Sequence, residues 1–278
     1  MPSSTVSSLS LHQKRKKGIK LTSSYDQRIL ELDRVGFTYP GQKQFIVDLT
    51  FSVGSGKFVG LLGANGSGKS TILKLASGIL KPHKGHVKLW GNPLESFRNK
   101  DRAKLLCYLP QLLDMNLPFK VREVVSMGLY PYDIPPAISV DEALEVVGLR
   151  EKSENPVMSL SGGEKRRTFI AMTLLQGAGI LLLDEPLANL DIKYQIDLLR
   201  LLRELREKKD ISVIMALHDI NIALRFERVI LIKEGRILGI GRAEEVLTGG
   251  MLKEAFDVSV EIKNLDRGET YITYGDNF

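Results

Sequence analysis

The sequence predicts an α/β layered fold, and three observations carry that prediction. Short, mostly apolar runs with strand character recur along the chain, at residues 57–62 (KFVGLL), 179–183 (GILLL) and 212–216 (SVIMA). Helical patterns follow them across turn signals. The composition is that of a folded protein, 43% hydrophobic and 26% charged over 278 residues. Strands alternating with helices bury a sheet between helical layers, and this length holds one large domain or a domain with a subdomain.

The elements follow in order. Residues 29–37 and 45–53 read as strands, with Pro40 and Gly41 as the turn between them. Residues 57–62 give a strand, a Gly-rich turn follows, and residues 70–80 give a helix. Residues 86–91 (HVKLWG) are expected as another strand on the same sheet. Residues 121–129 and 140–147 read as helices, broken by Pro131, Pro135 and Pro136. This stretch looks like a helical insertion. Residues 164–176 give a helix and 179–183 a buried strand. Residues 192–209 are a charged amphipathic helix, 212–216 a buried strand, and 219–225 the start of a helix. Residues 229–233 and 236–241 form a hairpin around Glu234-Gly235. There is no internal repeat.

The formal net charge is +6, and Lys14, Arg15, Lys16, Lys17 and Lys20 supply five of those charges before the first acid, Asp26. The body is near neutral, which argues against nucleic acid as a partner. Residues 1–27 read as a disordered basic, Ser-rich tail. A transit peptide and a segment resting on anionic lipid are the alternatives. Cys107 is the single cysteine, so no intramolecular disulfide forms. The longest uncharged stretch, residues 168–183, is shorter than the ~20 apolar residues of a membrane span. Work at a membrane would need another chain to do the crossing.

Two motifs point to nucleotide chemistry. Gly63-Ala64-Asn65-Gly66-Ser67-Gly68-Lys69-Ser70-Thr71 matches G-x-x-x-x-G-K-[ST] between a strand and a helix. Its glycines let the backbone wrap phosphates, its amides and the helix N-terminus favour an anion, Lys69 reaches the β- and γ-phosphates, and the Ser70 hydroxyl suits Mg²⁺. Residues 180–186 form an apolar strand ending in Asp184-Glu185-Pro186. At the carboxyl edge of a parallel sheet, Asp184 would reach Mg²⁺ and Glu185 would polarise an attacking water.

Leu160-Ser161-Gly162-Gly163-Glu164, about twenty residues before the acidic strand, resembles the signature motif of ATP-binding cassette (ABC) ATPases. The resemblance covers roughly residues 28–260. It implies a P-loop cassette with a RecA-like mixed sheet, an N-terminal antiparallel β subdomain and an inserted helical subdomain at about 112–165. Residues 261–278 would be a C-terminal extension. It implies ATP and Mg²⁺ as ligands, Tyr39 as the aromatic that stacks on adenine, and Gln111 as the glutamine that touches Mg²⁺ and the attacking water. Asp191, in Ala188-Asn189-Leu190-Asp191, would close a dimer interface, and His218 would contact the γ-phosphate. Ser161, Gly162 and Gly163 would hold the γ-phosphate of a facing cassette. One motif set implies pairing with a copy or a related chain.

Residues 117–132 (LPFKVREVVSMGLYPY) resemble the corresponding segment of importers of iron–siderophore, haem and cobalamin. That implies a transmembrane permease as partner, a substrate-binding protein acting through it, and a peripheral place on the cytoplasmic face. A soluble assembly ATPase and an exporter cassette are the alternatives. The chain departs from the family pattern at two positions and one turn. Arg166 stands where Gln is common, Met172 where Arg is common, and Gly177-Ala178-Gly179 replaces a proline-containing turn.

Overall fold

The computed structural model describes residues 28–41, 43–111, 118–133, 138–188, 190–264 and 270–274. The tail 1–27, the start of the expected helical subdomain at 112–117, Pro135, Pro136, Asn189, and residues 265–269 and 275–278 of the expected C-terminal extension lie outside the described residues.

Two sheets share one hydrophobic core with the helix that follows the phosphate loop. The first is antiparallel, in the order β2-β1-β4-β5, from β1 (Arg28–Thr38), β2 (Gln44–Gly54), β4 (Lys84–Leu89) and β5 (Asn92–Pro93). The expected strand at 86–91 is β4, but it joins this sheet instead of the sheet of β3. Leu30 of β1 pairs with Leu89 and Leu32 with Val87, because these apolar positions alternate in phase on one buried face.

The second sheet is mixed, in the order β10-β9-β3-β8-β7-β6. It comprises β3 (Phe58–Leu62), β6 (Leu106–Leu109), β7 (Ile180–Leu183), β8 (Ser212–Leu217), β9 (Arg228–Lys233) and β10 (Arg236–Gly241). Only β10 is antiparallel to its neighbour. Every residue of β3, β7 and β8 is buried, which explains their continuous apolar runs.

Alternate side chains of these strands feed two separate cores. Val59, Leu61, Ile180, Leu182, Ile214 and Ala216 pack toward the antiparallel sheet and α1 (Lys69–Ser77). Phe58, Leu62, Leu181, Leu183, Val213 and Met215 pack toward the opposite helical layer. After α2 (Asn99–Ala103), that layer holds a helical arm of α3 (Val121–Ser126) and α4 (Val140–Val146), laid on α5 (Gly162–Gln176). Val124, Val125, Ala143 and Leu144 of the arm meet Phe169 and Ile170 of α5. Truncating one such buried leucine to alanine costs ~2–5 kcal/mol.

Gly128 sits where the arm touches α5. A Cβ there would lie 2.4 Å from the Met172 carbonyl oxygen, so glycine is a packing requirement. Then follow α6 (Ile192–Lys209), α7 (Ile220–Ala223), α8 (Ala243–Val246), α9 (Gly249–Phe256) and a hairpin of β11 (Val260–Asn264) with β12 (Thr270–Tyr274). No helix among the described residues is long and apolar enough to cross a membrane.

Candidate active site

The central strands end within two residues of one another. Leu62 pairs with Leu217, Leu183 with Met215, and Leu109 with Leu183. Register alone therefore brings Gly63, Gln111, Asp184, Glu185 and His218 out at one carboxyl edge, as expected for a ligand-binding edge.

The loop after β3 is held by glycine chemistry. A Cβ at Gly63 would lie 2.4 Å from the Ile232 carbonyl oxygen and 2.6 Å from Ser67 Oγ. Gly68 has φ of 110° and serves as the N-cap of α1 without a capping side chain, so the helix offers its first amides to an outside acceptor. Ser67 Oγ is buried with no hydrogen-bond partner among the described residues. Lys69 is 4% exposed. Its Nζ donates to Gly63 O at 2.8 Å and Ala64 O at 3.1 Å and lies 3.6 Å from Glu185 Oε1. Burial pulls its pKa down, opposed by Glu185 and then Asp184.

Asp184 is 2% exposed. Ser70 Oγ donates to its Oδ1 and the Tyr108 hydroxyl to its Oδ2, each at 3.0 Å. Burial pushes its pKa up, only partly countered by these two hydroxyls. A buried carboxylate bonded to neutral hydroxyls is short of positive charge. Its hard oxygen, beside the Ser70 hydroxyl, fits Mg²⁺, which takes one or two protein oxygens and completes its shell with phosphates and water.

Glu185, 12% exposed, is the hub. Its backbone sits at φ of 43°, the left-handed region, which turns the chain sharply off β7. Gln111 Nε2 donates to Oε2 at 2.8 Å, and His218 Nδ1 stands 3.9 Å from the same oxygen. A cavity of about 320 Å³ opens here, lined by Phe45, Asn65, Gly66, Gly68, Lys69, Ser70, Thr71, Gln111 and Glu185. Tyr39 stands against Phe45 (centroids 5.7 Å apart), and its hydroxyl is 2.8 Å from Thr71 Oγ1. Phe45, which lines the cavity itself, was missed in the sequence because it reads as one more apolar strand residue.

Ser161, Gly162 and Gly163 do not line this cavity. Ser161 caps α5 through a reciprocal pair. Its N–H donates to Glu164 Oε2 at 3.0 Å, and its Oγ accepts the Glu164 N–H at 3.3 Å. Glu164 is fixed in turn by Lys152. Ser161 and Gly162 are exposed, and a Cβ on Gly162 would meet nothing within 4 Å among the described residues. Gly163 stands beside Leu190 and Tyr194, next to Asp191, which is the exposed N-cap of α6.

Arg166, noted above only as a departure, has a definite place. It is 8% exposed. Its guanidinium donates to Pro110 O (3.2 Å), Gln111 O (2.9 Å) and Asp184 O (3.0 Å). Burial lowers its pKa to about 10. One side chain thus ties the capped helix α5 to the Gln111 segment and to the end of β7.

The ABC transporter family profile matches residues 46–188. The iron(3+)-hydroxamate import ATP-binding protein FhuC of Bacillus subtilis is 39% identical over 84% of this chain and 89% of its own length. The hemin import ATP-binding protein HmuV of Bordetella avium is 36% identical over 80% of this chain and 90% of its own. The dimeric post-hydrolysis structure of the ATP-binding cassette MJ0796, bound to ADP and Pi, superposes with a TM-score of 0.69 at 26% identity, over 77% of this chain and 99% of that one. The chain belongs to the ABC transporter ATP-binding proteins, a family of ATPases.

Proposed function

We propose that the chain is the ATP-hydrolysing subunit of an ABC importer on the cytoplasmic face of a membrane. Two cassettes close head to tail around two ATP and drive a separate permease, with a substrate-binding protein delivering cargo to it. The cargo class is a metal chelate such as iron–siderophore, haem or cobalamin, because the relatives named above import iron hydroxamate and hemin. The observation that carries the ATPase reading is the convergence of Lys69, Ser70 and Glu185 on one cavity, with Asp184 held against the Ser70 hydroxyl and the signature turn exposed.

In this reading Lys69 leaves the Gly63 and Ala64 carbonyls to neutralise the β- and γ-phosphates. Ser70 and Asp184 would hold Mg²⁺, with Gln111 available as a further oxygen donor. When bound, that ion offsets charge on the phosphate oxygens. The amides of residues 64–71 cradle the phosphates, and the aromatic group of Tyr39 and Phe45 flanks the base. Glu185 orients the attacking water and takes its proton as oxygen bonds to the γ-phosphorus. The bond to the β,γ-bridging oxygen breaks, and ADP leaves with that electron pair. Gln111 and His218 keep the Glu185 carboxylate aimed. Ser161, Gly162 and Gly163 add donors from across the dimer at a helix N-terminus.

The test is purification from detergent-solubilised membranes, followed by ATP binding and hydrolysis with and without Mg²⁺. The expected result is Mg²⁺-dependent turnover, co-purification with a permease, and affinity for ATP weakened at least ~10-fold in Lys69→Ala. Unchanged affinity in that variant would overturn the phosphate-loop assignment. Turnover without a permease would favour the soluble assembly alternative.

A further inference from the structure

The hairpin β11–β12 packs on α7, the short helix that starts two residues after His218. Ile272 of β12 is 3% exposed and shares a core with Ile220, Ala223 and Phe226. Its main chain makes a matched pair of hydrogen bonds to one side chain. The Ile272 N–H donates to Asn221 Oδ1 at 2.9 Å, and Asn221 Nδ2 donates to Ile272 O at 3.1 Å. In an antiparallel ladder the N–H and C=O of one residue point to the same side. Those of Ile272 point away from Ile262, its partner on β11. The Asn221 amide therefore sits where the peptide group of a next strand would sit.

This clasp lies close to the candidate chemistry. His218 is 55% exposed, and its described polar neighbour, Glu185, is 3.9 Å away. Its placement is left to the backbone on either side. Upstream that backbone is β8, which is buried throughout. Downstream it is α7, four residues long, whose first amides at Asn221 and Ile222 are capped by Asp219 Oδ1 at 2.8 and 3.1 Å. A single helical turn does not hold itself in water, and neither does an isolated two-stranded hairpin. The helix rests on β3 and β8 and the hairpin on α9, and the contact of β12 with α7 joins the two.

We infer that Asn221 is a positioning residue for His218 and that the C-terminal hairpin is the anchor through which it acts. This rests on the ATPase reading and extends it to a segment beyond the cassette motifs. Asn221 suits the task because one planar group offers a donor and an acceptor at peptide spacing. A carboxylate offers only acceptors, and an apolar side chain offers neither.

The experiment compares the full chain with Asn221→Leu, Asn221→Asp, a chain ending at residue 264, and Asn221→Leu in that shortened chain. Steady-state ATPase kinetics and hydrogen–deuterium exchange of the peptide carrying residues 218–223 are measured on each. Asn221→Leu and the shortened chain are each expected to lose about tenfold in kcat, as expected when the side chain that aims Glu185 is displaced, with KM for ATP nearly unchanged. Asn221→Asp, which keeps the acceptor, falls between. The double change is no worse than either single one, because both remove the same interaction. Exchange at 218–223 speeds up in all of them.

Unchanged kcat in Asn221→Leu, or losses that multiply in the double change, would overturn the inference. Should the shortened chain fail to fold, Asn221→Leu against Asn221→Asp still decides by the graded kcat and exchange. A full chain without ATPase activity would strike at the proposed function instead, and the exchange data would then decide the clasp alone.

Discussion

The phosphate loop and the signature turn are both glycine-rich caps on helix N-termini, yet the chain treats them oppositely. At the phosphate loop the two ends, Gly63 and residues 67–69, are buried, while Asn65 and Gly66 at the tip are exposed. Gly63 faces the Ile232 carbonyl, Lys69 is folded onto loop carbonyls, and Asp184 is buried against two hydroxyls. At the signature turn the side chains complete their own capping box, while Gly162 faces open space. In the proposed reading, half of the site is finished within one chain and half is displayed for another. A helix cap satisfied by its own Ser and Glu is rigid enough to be recognised from outside, since it need not rearrange to be met.

That contrast can be broken from either side. The largest effect is expected at the hub. Glu185→Gln keeps the hydrogen-bonding outline but cannot take a proton, so turnover falls ~10²–10³-fold or more while ATP binding persists. Size-exclusion chromatography with ATP then shows an accumulated dimer, and normal turnover would remove Glu185 from its role. Gly162→Arg sharpens the other half. The side chain has room within the chain, so folding and monomer ATP affinity should hold, while dimer-dependent turnover drops at least ~10-fold. Loss of monomer binding would show that the turn serves its own protomer.

The smallest effect concerns stability. Burial raises the Asp184 pKa, so the folded chain holds this proton more tightly than the unfolded chain does. The resulting penalty is absent below the unfolded carboxylate range and complete above the raised folded value. Asp184→Asn, measured without nucleotide or metal, should therefore melt at a higher temperature than the parent at neutral pH. The advantage should fade on acidification. A lower melting temperature at neutral pH would mean that Asp184 is already compensated within the chain.

Much of this was legible because the signals are local. The phosphate loop needs glycines between a strand and a helix, and the acidic strand end announces itself by an apolar run stopping at two carboxylates. What failed was non-local. The strand at 84–89 has the right period, but pairing partners are chosen by tertiary packing, and it went to the other sheet. β6 is only four residues long and hides Tyr108, so neither the strand nor the hydroxyl on Asp184 was anticipated. Arg166 contacts positions 18, 55 and 56 residues away in sequence, which no helical periodicity reveals. The pairing of residues 260–264 with 270–274, and the Asn221 clasp on it, likewise belong to long-range order.

The division of the strands' side chains between two cores has a mechanical meaning. Neighbouring residues of β7, such as Leu182 and Leu183, are rooted in opposite halves of the interior. The central sheet thus acts as a bulkhead. Slippage of the helical arm on one side would not loosen the phosphate cradle on the other, so a tug from a membrane partner could travel through strand ends without melting the pocket it has to read.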